Sequence, residues 1–214
     1  MSKLWSVLKY VAAIGLVVFA ALIALGWYLS STKETARRNS AFVQKLEQAE
    51  RDKGDVLNLL FDGVGTVSDD DAKLVVDWLT ERQFRGDQPY LYIIGLYYGK
   101  QESKIQKASG IGYLAKAGLV YRIDAIKCGD PTANQAVQIF EGVLGLKALR
   151  DRLKGDPAMR QATIDYALKF EEKNQDRPLP SWICLHGMGP GSPPGVESFQ
   201  LHRQMVRTQF EGSF

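Results

Sequence analysis

The stretch from Tyr10 to Leu29, twenty residues without a charge, constrains this chain more than any other feature. At about 1.5 Å per residue, a helix of that length covers the roughly 30 Å hydrocarbon core of a bilayer. Trp5 precedes the run, and Trp27 and Tyr28 close it. Along a helix Trp5 and Trp27 stand roughly 33 Å apart, the spacing of two interfacial aromatic belts. Lys3 and Lys9 supply a basic flank. A cleaved signal peptide has a shorter apolar core, about 7–15 residues. An uncleaved anchor is therefore expected, with Ala24-Leu25-Gly26 as the alternative small-residue cleavage site.

Charge narrows the rest. The chain has 27 basic and 24 acidic residues, and without Lys3 and Lys9 the remainder is nearly balanced. Such a domain has no bulk attraction to nucleic acid, and no nucleic-acid partner is expected. Beyond the span, Lys33, Arg37, Arg38 and Lys45 would count toward a cytoplasmic C-terminal side. Long domains translocate largely regardless of such flanks, and the cysteines argue for the opposite side. The expected location is the inner membrane, single-pass, with the soluble domain in the periplasm.

The expected fold class is all-α. An anchor at 1–29 leads to a juxtamembrane helix or stalk at 30–54, with Phe42, Val43, Leu46 and Ala49 as its apolar stripe. A helical domain over 55–176 follows, then an irregular Pro/Gly-rich segment over 177–214 packed against it. Asp62-Gly63-Val64-Gly65 reads as a loop. Ser68 caps a helix with Asp69, Asp70 and Asp71 in its first turn. Residues 90–98 suit a helix or a strand. Residues 104–128 form a helix apolar on two faces, hence sandwiched, with Gly110, Gly112 and Gly118 compensated by close packing. Gly129-Asp130-Pro131 and Gly155-Asp156-Pro157 each end one helix and start another, the helices running to about Leu153 and Asn174. From the second, Met159, Ala162, Tyr166 and Phe170 are expected to face the core. Val196 to Phe210 suits a last amphipathic helix.

Tyr92-Ile93-Ile94-Gly95-Leu96-Tyr97-Tyr98-Gly99, Lys107-Ala108 and Tyr113-Leu114-Ala115-Lys116-Ala117-Gly118 together resemble one Sel-one-like repeat, a short relative of the tetratricopeptide repeat. Two extra residues separate Lys107-Ala108 from Tyr113, and Gly118 stands where the family has Ala. The match covers about 92–118 and occurs once. It implies a helical hairpin over 89–127 and an α-repeat-like interaction domain.

Candidate chemistry is sparse. Cys128 and Cys184 are expected to pair, closing a loop of about 56 residues worth roughly 3–4 kcal/mol. The alternatives are unpaired structural thiols, a Cys184–His186 nucleophile–base pair, or a zinc site with His186 and His202. Tyr90, Tyr97, Tyr98 and Tyr113 are candidate partner-binding aromatics, with helix-packing core as the alternative. No cofactor, metal or small-molecule substrate is expected. The functional expectation is a membrane-anchored, extracytoplasmic interaction module of the bacterial envelope: a scaffold, adaptor or immunity-type inhibitor binding another envelope protein. The alternatives are a passive subunit of a membrane assembly and an envelope-acting hydrolase. A hydrolase would need a pair of carboxylates across a cleft, with Glu141 as the first candidate.

Overall fold

The computed structural model describes residues 2–101, 103–185 and 191–213; the side chains of residues 2–14 and of Val17 are not among the described ones. Among the described residues every regular element is an α-helix. The helices are α1 (Ser2–Asn39), α2 (Ala41–Arg51), α3 (Val56–Gly63), α4 (Asp69–Arg82), α5 (Tyr90–Lys100), α6 (Lys104–Lys127), α7 (Ala133–Val143), α8 (Leu146–Leu153), α9 (Pro157–Lys173), α10 (Ser181–Cys184) and α11 (Val196–Ser213).

The expected span, residues 10–29, begins among side chains outside the described residues, as do Lys3, Trp5 and Lys9. Among the described residues no helix is long and apolar enough to cross a membrane. The described part of α1 is unpacked: Leu16, Phe19, Leu22 and Trp27 are all more than half exposed. Its last turns meet the domain through ion pairs, Lys33 with Asp77 at 2.9 Å and Arg37 with Glu81 at 2.7 Å. Ser40 then breaks the helix. Its hydroxyl accepts from the Val43 amide at 3.3 Å, capping α2, and donates to Asp71 at 2.6 Å. A single stalk over 30–54 is thus replaced by two helices. Val43 and Leu46 are fully buried, so α2 belongs to the domain.

Asp62 and Gly63, read as loop, form the last turn of α3 instead. Gly63 is there because Phe42 and the Tyr97 hydroxyl press on its Cα, leaving no room for a Cβ. Ser68 caps α4 as expected, its hydroxyl accepting from the Asp71 amide at 3.1 Å. Val75, Trp78 and Leu79 of α4 join Val43, Leu60 and Ile93 in the first core.

Residues 90–98 are helical, and α5 packs lengthwise on α6. The two backbones come very close. A Cβ on Gly110 would lie 2.7 Å from the Gly99 nitrogen and 2.8 Å from the Gly95 oxygen. Helix α6 is sandwiched as its two apolar faces require. Ala117, Val120 and Tyr121 pack with α5, α7 and α10, while Ala115, Leu119 and Ile123 pack with α9 and α11.

Asp156 and Pro157 start α9 as read, with the Asp156 carboxylate accepting from the Met159 amide at 3.0 Å. Pro131 does not start a helix. The Asp130 carboxylate accepts from the Thr132 amide at 2.8 Å and its hydroxyl at 2.7 Å, making a turn that delays α7 to Ala133. Gly145, at φ +66°, ends α7 and begins α8, dividing what had read as one helix. The inward face of α9 is also rotated from the expected one. Thr163, Ile164, Ala167 and Glu171 are buried, whereas Met159 and Tyr166 are about two-fifths exposed.

Three ties fix the segment after residue 176, and a helix, α11, fills about half of its length. Cys128 and Cys184 form a disulfide with Cα atoms 5.3 Å apart, worth about 4 kcal/mol on the chain-entropy model. Arg177 is buried beside Asp124, at 2.6 Å, and also donates to the Val120 and Asn174 carbonyls. Burial alone would push the Glu171 carboxyl up, but Arg203 and Arg207 of α11 pair with it and hold it below its ordinary value. Trp182 and Ile183 pack in the core.

The close approach of α5 and α6 makes a paired prediction. Gly110→Ala must force the helices apart and should cost about 1–3 kcal/mol. Gly142→Ala, where open space surrounds the Cα in exposed helix, should stabilise by up to about 1 kcal/mol. Urea unfolding of both variants checks this; equal effects would contradict the packing.

Candidate functional site

An open groove of about 390 Å³ runs where α5, α6 and α9 meet. Tyr98 comes from α5, Ile105, Gly112 and Tyr113 from α6, and Met159 and Tyr166 from α9. The glycines that let α5 approach α6 place Tyr98 beside Tyr113, with ring centroids 5.5 Å apart. Tyr166 lies across Gly112, where a Cβ would meet its ring at 3.2 Å, and stands 6.4 Å from Tyr113. Burial raises the Tyr113 phenol to about 12 and also raises the phenols of Tyr98 and Tyr166. These hydroxyls are neutral donors near neutral pH.

Beneath this wall lies Lys116, one turn after Gly112 and only 1% exposed. Its Nζ is 3.4 Å from the centroid of Tyr113, 3.9 Å from that of Phe170 and 5.2 Å from that of Tyr166. It makes one long hydrogen bond, donating to the Tyr166 hydroxyl at 3.4 Å. The ring faces attract the ammonium, but they do not replace its water. Burial pushes this amine down to about 7. Among the described residues no carboxylate pairs with it. The other buried charges differ: Asp124 has Arg177, and Glu171 has Arg203 and Arg207.

Of the four tyrosines picked from the sequence, the groove brings together Tyr98 and Tyr113. Tyr90 and Tyr97 lie in the core, 1% and 2% exposed. Tyr90 packs edge-on to Trp78, and the Tyr97 hydroxyl donates to the Leu60 carbonyl at 3.0 Å. They are packing residues and are withdrawn as partner contacts. The sequence reading missed Lys116 and the outward turn of Tyr166. One signal was available: Lys116 sits between Ala115 and Ala117, with Gly112 and Val120 one turn away on either side, a place for an apolar residue.

Other candidates are committed elsewhere. Glu141 pairs with Arg122 (Nε–Oε1 2.8 Å) and lies 3.8 Å from Arg150, and no second carboxylate is among the described residues lining its cleft. The disulfide removes both cysteines as nucleophile or metal ligand. His186 lies outside the described residues, and His202 Nδ1 contacts the Ser198 carbonyl at 2.7 Å on an exposed turn. A larger hollow of about 550 Å³ lies between α6, α7 and α11. Two of its lining residues, Arg122 and His202, are held by Glu141 and Ser198.

No family model matches the chain, and neither the curated proteins nor the solved structures yield a match.

The isolated amine makes Lys116 a cost to the fold. Its folded affinity for a proton lies below that of the unfolded chain, which binds more protons between about pH 7 and the ordinary lysine value of 10.5. The destabilisation is therefore full below about pH 7 and fades as pH rises toward 10.5. Lys116→Met, similar in volume and able to pack on the same rings, should stabilise the protein by about 1–3 kcal/mol at pH 6 and by less at pH 9. Urea midpoints of both forms at the two pH values check the sign; destabilisation at pH 6 would contradict it.

Proposed function

We propose that this chain is a single-pass, membrane-anchored helical module of the bacterial envelope, with its domain on the periplasmic side of the inner membrane. It works as an adaptor, scaffold or immunity-type inhibitor by seating a segment of another envelope protein. The observation that carries this reading is the groove: Ile105, Met159 and Tyr166 are exposed along it, with Tyr98 and Tyr113 half-buried in its wall. Aromatic side chains of this kind act as interface anchors. The groove walls offer few groups to pair with a bare backbone. Ser109 already donates to the Ile105 carbonyl at 3.0 Å. A helical partner segment, which satisfies its own backbone and lays an apolar face between the helices, fits best.

The uncharged run Tyr10–Leu29 and the exposure of its described apolar side chains support the anchor. The Cys128–Cys184 bond supports an oxidising compartment. The resemblance of residues 92–118 to a Sel-one-like repeat agrees with an interaction role. The hydrolase reading loses its best residue, because Glu141 is held by arginines.

A photo-crosslinking residue placed at Ala162, in the groove wall, tests the module in intact cells. The expected outcome is a discrete adduct with one envelope protein, absent when the same residue replaces Lys147, an exposed position on α8. The same adducts from both positions, or none from Ala162, would contradict the proposal.

A further inference from the structure

We infer that the groove is also a small-ligand site, which takes an apolar monocarboxylate with its head group on Lys116 and its tail along Ile105, Ala108 and Met159. The inference rests on the groove being the working surface of the module, and adds a ligand that would share that surface with the partner.

Three observations carry it. The first is the missing counter-ion. A buried ammonium has three N–H donors, and Lys116 uses one, in a 3.4 Å bond to Tyr166. Tyr113 and Phe170 shield the amine from two sides and offer no acceptor lone pair of comparable strength. A carboxylate arriving here would gain a desolvated ion pair that nothing in the described protein supplies.

The second is access. Tyr166 covers the amine from the groove side, yet is 43% exposed and belongs to the outer face of α9. The groove lining includes Tyr166 and Gly112 but not Lys116, so the proposed binding includes a shift of the Tyr166 phenol that bares Nζ.

The third is the lining. Ile105, Ala108, Met159 and Ala162 are apolar, and the groove, at about 390 Å³, lies within the range that holds a small organic ligand. Among the described residues no acidic side chain lines it. The site thus selects for one negative charge on an apolar body. It selects against cations, which Lys116 repels. A lipid-derived acid is the source we commit to, because the proposed anchor holds the groove close to a bilayer.

The test uses the full chain in lipid nanodiscs, with octanoate, octanol and octylamine as probes and NMR shifts of the Lys116 side chain and groove methyl groups as readout. Saturable octanoate binding is expected, with octanol at least about tenfold weaker and octylamine without effect, the ratio a charged hydrogen bond supplies. In Lys116→Met the preference for octanoate over octanol should vanish. Equal binding of octanoate and octanol, an unchanged preference in Lys116→Met, or no saturable octanoate binding at millimolar concentration would each overturn the inference. N-acetyl-leucine, a carboxylate of peptide type, serves as the second arm; tighter binding than octanoate would overturn the lipid source. None of these outcomes depends on the Ala162 adduct, so the ligand and the partner fail separately.

Discussion

Helix α6 has almost no solvent-facing surface between Ala115 and Ala125, because α5, α7, α8, α9, α10 and α11 all pack against it. Its glycines admit α5 at backbone distance on one side. Its larger residues, Leu119, Val120 and Ile123, hold α7, α9 and α11 farther away on the others. This difference in approach makes the groove. Where Gly112 leaves α6 thin, tyrosines from three helices, Tyr98, Tyr113 and Tyr166, line the groove.

The same helix carries the ties that hold the C-terminal segment. Asp124, in the last turn of α6, receives Arg177, and Cys128, just past its end, receives Cys184. Helix α11 is held in turn by Arg203 and Arg207 on Glu171 of α9. A proline-rich segment gains little from its own backbone hydrogen bonds, so its position depends on these side chains. Each buried charge there has an opposite partner, which makes the amine of Lys116 the exception among the described residues.

Much of the fold was legible in the sequence because local chemistry decided it. Ser68 and Asp156 cap helices at the residues their side chains suggest, and the two-faced apolar pattern of residues 104–128 requires a central helix. The errors have specific physical causes. At Gly63 a tertiary contact with Tyr97 and Phe42 overrode a loop signal. At Pro131 the Asp130 carboxylate bonded to Thr132 rather than to a helix start, and at Gly145 a left-handed turn divided one apolar stripe into two helices. The site was less legible. Composition drew attention to tyrosines but could not separate Tyr97, whose hydroxyl is used inside, from Tyr98, whose ring faces the groove. Lys116 looked like a surface residue by type, and only its neighbours one turn away marked its place as interior.

The account turns on a single amine held among aromatic rings without an acid to pair with. NMR titration of the Lys116 side chain, using protein with 13C-labelled lysine and Lys116→Met for assignment, tests that directly. The account predicts that one lysine signal titrates near pH 7, well apart from the others. A Lys116 signal that titrates at the ordinary lysine value of 10.5 would contradict it, showing that the amine reaches water or a carboxylate.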